Sequence, residues 1–81
     1  MADARSALAK SFEAWGALLA AGLARMRRKG ILRSDADPEV LAVGLMAALQ
    51  GGYLLAQIAR DVTPMRIALD MAIDHIRDYA V

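Results

Sequence analysis

The sequence predicts an all-α protein of three helices, and three observations support this prediction. The chain has 81 residues, which is enough for one small domain covering residues 1–81. Strong helix formers dominate its composition, and its β-branched residues are scattered. Glycine and proline stand where helices would end and begin. We therefore expect helices at about residues 3–29, 38–60 and 64–79.

The first helix is predicted from apolar residues that recur at steps of three and four. They are Leu8, Phe12, Trp15, Leu19, Leu23 and Met26. Gly30 follows at the position where a helix C-terminus favours a left-handed residue, with Ile31 as the apolar contact after it. This apolar row predicts ordinary core packing, or the wall of a pocket for an apolar small molecule.

The second and third helices are predicted from their start signals. Asp37 and Pro38 form an N-cap followed by a proline, and Thr63 and Pro64 repeat the same pattern. The link before Thr63 is so short that these two helices should form an antiparallel hairpin. An apolar row along the third helix makes it amphipathic, comprising Met65, Leu69, Ala72, Ile76 and Tyr79.

The second helix carries no charged residue from Val40 to Ala59. A helix that is apolar all round is buried on several sides, and two neighbouring helices cannot cover it. A membrane span is the alternative, but two glutamines, three glycines and many alanines in this segment disfavour it. Small residues recur every four positions and predict close packing against another helix. They are Gly44, Ala48, Gly52 and Ala56. The paired glycines could instead kink the helix or admit a close neighbour or a ligand.

Several classes of function are disfavoured by composition. The chain has no cysteine and one histidine, so disulfides and a closed zinc site are not expected. His75 and Asp78 could supply only two metal ligands. No catalytic motif is visible, so we expect no enzyme and no cofactor. The N-terminus has charges where a signal peptide would be apolar, which predicts a cytoplasmic protein.

Two polar groups leave alternatives open. Gln50, Tyr53 and Gln57 share one helical face, where they could bond to a second copy, to a ligand, to one another or to water at an interface rim. A basic cluster near the end of the first helix is typical of helix-end stabilisation, although nucleic-acid binding is the alternative. Its members are Arg25, Arg27, Arg28, Lys29 and Arg33. The net charge of +1 gives no electrostatic reason to expect nucleic acid or an anionic membrane.

With these features in place, the chain resembles the C-terminal region of TetR-family transcriptional regulators. The resemblance rests on an acidic-proline start, a Gln-Gly step, an Ala-x-x-x-Arg ending and a Pro-initiated last helix. In this sequence these are Asp37-Pro38-Glu39, Gln50-Gly51-Gly52, Ala56 to Arg60 and Thr63-Pro64-Met65. The preceding FEAWGALLAAGLARMRRKGIL resembles the helix that leads to this hairpin.

The resemblance implies a homodimer in which the hairpin forms a four-helix bundle with a second copy, and an apolar effector bound between helices. It further implies that DNA is bound by an N-terminal helix-turn-helix domain that this sequence lacks, so this segment itself should bind neither DNA nor membrane. The predicted interface comprises Gly44, Ala48, Gln50, Gly51, Tyr53, Leu54, Gln57, Ile58, Met65, Leu69, Ala72, Ile73 and Ile76. The predicted effector pocket comprises Phe12, Trp15, Leu19, Leu23 and Met26. The alternative is a free-standing helical protein that binds a different partner or a membrane surface.

Overall fold

A computed structural model describes residues 4–81 and contains three helices, α1 (Ala4–Arg28), α2 (Pro38–Ala59) and α3 (Thr63–Arg77). The all-α fold is confirmed, and the helices agree with the predicted ones to within two residues at each described end. The predicted helix start at Asp3 lies outside the described residues. Only an isolated bridge between Leu32 and Ala80 has β geometry within residues 4–81.

The three helices lie side by side in one layer. α2 packs against both α1 and α3, whereas the backbones of α1 and α3 do not approach each other within the described residues. The principal dimensions are 41 × 35 × 13 Å. The shortest of them is close to the diameter of one helix with its side chains, about 10–12 Å. The molecule is therefore one helix thick.

A single layer of helices leaves much apolar surface in water. The radius of gyration is 14.4 Å, whereas a compact domain of this length has about 12 Å. The accessible surface is 6075 Å², and a globular protein of this mass exposes about 4,700 Å². The described chain thus exposes about 1,300 Å² more than a compact monomer of its size.

The small core lies at one end of the layer, where the end of α1, the loop after it and the start of α2 meet. Leu23 from α1, Leu32 from the loop and Leu41 from α2 are its largest buried members. Alanines fill the gaps between them, and Ile76 and Tyr79 pack against the cluster from the C-terminal side. The rest of the layer has few buried side chains.

The start of α2 is capped as predicted. The Asp37 carboxylate accepts hydrogen bonds from the backbone N–H groups of Glu39 at 3.1 Å and Val40 at 3.4 Å. Pro38 occupies the first turn, where its missing N–H is not needed. The cap fixes the direction in which α2 leaves the core.

The predicted Thr63 cap of α3 is wrong. α3 begins at Thr63 itself, and the residue before it, Val62, makes no side-chain cap bond. Instead the Thr63 N–H and hydroxyl both donate to the Asp61 carboxylate, at 3.0 and 2.8 Å. These two bonds, chiefly the backbone one, lower the pKa of Asp61. Their stabilising effect is therefore present above the ordinary aspartate pKa and is lost as pH falls through the lowered value.

The loop after α1 is fastened to the C-terminus. The Arg33 N–H donates to the Tyr79 carbonyl at 2.7 Å, and the Val81 N–H donates to the Ile31 carbonyl at 3.0 Å. The Arg33 guanidinium also lies 5.0 Å from the centre of the Tyr79 ring, a cation–π contact. The residues that follow α3 thus hold the C-terminus against the loop between α1 and α2.

The C-terminal ends of α1 and α2 have the same hydrogen-bond pattern, but a different type of residue occupies the left-handed position in each. After α1, Gly30 has φ +77°, and the Ile31 N–H donates to the Met26 carbonyl at 2.9 Å. After α2, Arg60 adopts the same left-handed region at φ 54°, and the Asp61 N–H donates to the Ala56 carbonyl at 3.1 Å. Both are Schellman motifs, but only the first has the glycine that suits this conformation.

Replacing Arg60 with glycine should stabilise the protein by about 0.5–1 kcal/mol, because glycine removes the steric cost of the left-handed conformation. Replacing Gly30 with alanine should destabilise it by about 1 kcal/mol for the converse reason. Urea unfolding of both variants at one protein concentration measures this. If Arg60→Gly lowered the free energy of unfolding, the arginine side chain would stabilise the protein by more than the left-handed backbone conformation destabilises it.

Candidate association face and ligand groove

One side of α2 forms an exposed apolar row that we call the α2 stripe. Its members are spaced four, three, four, three and four residues apart, and all six are exposed: Val40, Gly44, Ala47, Gly51, Leu54 and Ile58. Val40 is 64% exposed and Ile58 is 73% exposed. This spacing is the a/d pattern of helices that pair along a seam.

The stripe is uncovered because α1 and α3 approach α2 from its other side. The half-buried Leu45 and Leu49 lie on that side, half a helical turn away from the stripe. The chain itself therefore provides no cover for the stripe among residues 4–81. A surface of this kind marks an interaction site in soluble proteins.

The adjacent glycines of α2 have different surroundings. A Cβ atom on Gly52 would lie 3.0 Å from the Met65 Cα and 3.1 Å from the Ala68 Cβ, both in α3. A Cβ on Gly51 would meet nothing within 4 Å. The predicted close packing at Gly52 is thus found, and the neighbouring helix is α3 of the same chain. α2 continues as one helix through both glycines.

A second apolar feature lies next to the stripe. The N-terminal half of α2 and the C-terminal half of α3 enclose a groove of about 460 Å³. Val40 and Gly44 line it, so it opens on the same side as the stripe. Met71 lines its other wall and is 69% exposed. The stripe and this groove together form one apolar face of the α2–α3 hairpin.

The structure distributes the predicted interface residues over several surfaces. Gly44, Gly51, Leu54 and Ile58 belong to the α2 stripe. Ala48, Ala72 and Ile76 line the α2–α3 groove, whereas Met65 packs against Gly52 and Leu69 is half-buried. Gln50 lies on the α1 side of α2, and Ile73 is 40% exposed on α3. Their contact with a second copy remains a prediction.

The amide and phenol groups of α2 bond to each other. The Gln57 side-chain nitrogen donates to the Tyr53 hydroxyl at 2.9 Å, and both residues are exposed. A bond among these residues is one of the alternatives that the sequence left open. Gln50 does not join this bond.

A larger groove lies between α1 and α2, with a volume of about 1210 Å³. Its floor consists mostly of small residues, such as Gly16 and Ala20 on α1 and Ala42 and Ala47 on α2. Small side chains leave room between the two helix backbones, which gives the groove its width. Its volume exceeds the roughly 300–1,000 Å³ of typical small-molecule pockets, as expected for an open site.

The predicted pocket residues are only partly at this groove. Phe12 lines it, and its ring contacts Trp15 edge-on with centres 6.0 Å apart. Leu23 is buried in the core, with Leu19 and Met26 packed against the same cluster. The sequence did not single out the groove's small-residue floor, because alanines and glycines in a helix give no chemical signal.

One member of the basic cluster, Arg27, and the side chain of His75 make contacts within the chain. The Arg27 guanidinium donates to the Ala36 carbonyl at 2.9 Å, so it fastens α1 to the following loop. The exposed His75 ring packs edge-on against Tyr79, with ring centres 5.8 Å apart. No group of three or more potential metal ligands occurs in the described part of the chain.

The described residues thus form a helical domain with an exposed apolar face on the α2–α3 hairpin and an open groove between α1 and α2. A family model described as the tetracyclin repressor-like C-terminal domain matches residues 2–72. The chain therefore belongs to the family of TetR-like regulators, represented here by their C-terminal domain, as the resemblance had indicated. The members of this family are transcription regulators rather than enzymes.

The match ends within α3, so the C-terminal residues Tyr79 and Val81, which bond to the loop after α1, lie beyond it. No curated protein and no solved structure is similar enough to the chain to add to this assignment. By length and composition alone, Pro38–Ala59 would also fit a membrane span. Regulators of this family, however, are soluble and typically cytoplasmic.

Proposed function

We propose that this chain is the dimerisation and effector-binding region of a cytoplasmic TetR-like repressor, and that it acts together with a helix-turn-helix domain that binds DNA. The observation that supports dimerisation best is the uncovered apolar face of the α2–α3 hairpin in a molecule one helix thick. A second hairpin laid on this face would supply the missing second layer.

The α2 stripe favours a second copy as its cover. Its a/d spacing matches helices that cross at about 20°, the geometry of four-helix bundles. Ala47 and Gly51 at its middle allow two backbones to approach closely, while Val40 and Ile58 provide apolar side chains near its ends. The excess surface of about 1,300 Å² is more than the about 800 Å² that each partner buries in a standard interface.

The groove between α1 and α2 is the proposed effector site. A ligand held there would touch α1 on one wall and α2 on the other. Because α2 also carries the proposed dimer face, a ligand that favours one arrangement of α1 would shift the geometry of the dimer. Such coupling requires only that the ligand binds the two arrangements with different affinities.

The mass in solution tests the dimer. Sedimentation equilibrium should give twice the chain mass of 8.7 kDa, and the melting temperature should rise with protein concentration because folding and association are linked. A monomer that melts cooperatively at a concentration-independent temperature would contradict the proposal. If that monomer also bound lipid vesicles, the α2 face would instead be a membrane-binding surface.

A further inference from the structure

A continuous series of hydrogen bonds runs from α1 through the loop after it to the end of α3. On the α1 side, the Arg27 guanidinium donates to the Ala36 carbonyl at 2.9 Å. The Ala36 N–H donates to the Arg33 carbonyl at 3.1 Å, and the Arg33 N–H donates to the Tyr79 carbonyl at 2.7 Å. The Tyr79 N–H donates to the Ile76 carbonyl of α3 at 3.0 Å. Each residue of the series thus bonds to the next one.

The α1 end of this series forms part of the wall of the α1–α2 groove. The last four residues of the loop, Ser34 to Asp37, all line the groove, and so does Arg27 on α1. Ala36 is 1% exposed, so water competes little for its two hydrogen bonds. A ligand that moved this wall would therefore disturb the hydrogen-bond series at Ala36.

The α3 end of the series is held by further contacts. The Arg33 guanidinium lies 5.0 Å from the centre of the Tyr79 ring, and this ring packs edge-on against His75 of α3. The Val81 N–H donates to the Ile31 carbonyl at 3.0 Å. Within the described residues the backbones of α1 and α3 do not approach each other. The series therefore provides a connection that the two helices do not make directly.

We propose that this hydrogen-bond series is a conformational link, through which a change in the wall of the α1–α2 groove alters the position of α3. Its importance for regulation rests on the effector and dimerisation roles proposed above. Because α3 forms one wall of the groove in the apolar face of the hairpin, a shifted α3 would change the surface offered to a second copy. The link requires that its two ends are energetically coupled, and such coupling acts equally in both directions.

Hydrogen exchange of single amides in the full chain, followed by NMR, tests the coupling from the α1 end. Arg27→Met removes the donor of the first bond and keeps an unbranched side chain. The amides of Arg33 and Tyr79, which lie beyond the removed bond, should exchange about 5–10-fold faster, as expected when a bond from a charged donor is lost. Arg28→Met removes the same charge from a neighbour outside the series and should change neither amide. Faster exchange of Ala36 alone would overturn the proposal.

A second pair of variants tests the coupling from the α3 end. Val81→Pro removes the N–H that donates to Ile31, whereas Val81→Ala keeps this N–H and shortens a side chain that is 87% exposed. Only the proline variant should accelerate exchange at Arg33 and Ala36, by about 2–5-fold. The amide of Leu49 in the middle of α2 monitors global unfolding, which would accelerate all amides. Equal exchange of Ala36 in the two variants would contradict the link.

Sedimentation velocity on the same variants separates the link from the proposed dimer. If both exist, Arg27→Met and Val81→Pro should each raise the dissociation constant of the dimer by about 2–5-fold, although neither residue lies in the α2 stripe. Their effects should not add fully in the combined variant, because both changes act on one series. A monomeric wild-type chain with coupled exchange would contradict dimerisation and support the link. A dimer that neither variant weakens would overturn the action of the link on α3.

Discussion

A Leu54→Asp variant should be a monomer at concentrations where the wild-type chain is a dimer. Leu54 lies in the α2 stripe and is 57% exposed in the single chain. In the proposed dimer it would be covered by the second copy, and each subunit would then bury an unpaired carboxylate. The loss of two leucine contacts alone weakens association by about 3–6 kcal/mol, or about 10²–10⁴-fold in the dissociation constant.

Leu18→Asp is the matched control for this experiment. Leu18 lies on α1, is 72% exposed and is outside the α2 stripe, so the same substitution there should leave the dimer intact. Both changes cost about the same helix propensity, roughly 0.5 kcal/mol, and any difference between them comes from the surroundings. Sedimentation velocity over a range of concentrations measures the two constants. Equal effects at both positions would exclude the stripe as the dimer contact.

A Gly52→Ala variant should be less stable than the wild-type protein, although alanine is the better helix former. Its Cβ would lie 3.0 Å from the backbone Cα of Met65, so α3 would have to shift by a few tenths of an ångström. Overpacking of this kind costs about 1–3 kcal/mol, and the gain in helix propensity of about 0.8–1 kcal/mol offsets only part of it. Urea unfolding at a fixed concentration should show the loss.

Gly22→Ala provides the comparison. Gly22 lies within α1, outside the stripe, and a Cβ there would meet nothing within 4 Å. This variant should therefore gain the full helix propensity, about 0.8–1 kcal/mol of stability. The two variants should differ by about 1–3 kcal/mol in the free energy of unfolding. If both were stabilised equally, α3 would not be held against Gly52 in solution.

The helices could be predicted from the sequence because their signals are local. Asp37 and Pro38 at the start of α2, and Gly30 after α1, act through hydrogen bonds and dihedral angles of neighbouring residues. Thr63 misled because it lies inside the helix, where its N–H and its hydroxyl both donate to the carboxylate of Asp61, two residues earlier. Sequence signals for helix starts do not show which of two neighbouring polar side chains will accept the hydrogen bond.

The sequence did not predict which part of the chain contacts each face of a helix. Gly51 and Gly52 look alike in the sequence, but only the structure shows that Gly52 meets α3 while Gly51 is open. The pairing of Arg33 with Tyr79 likewise joins residues far apart in the chain. The groove between α1 and α2 depends on the spacing of two backbones, and periodicity within one helix carries no information about that distance.

The one-layer architecture has a consequence for the amount of protein in a cell. A domain with only a small core of its own would cover its remaining apolar surface only when it meets its partner, so the folded fraction would increase with copy number. At low abundance a larger share of chains would be unfolded and open to degradation. Under the proposed dimerisation, a small increase in synthesis would therefore raise the amount of active regulator more than proportionally, and a small decrease would lower it in the same way.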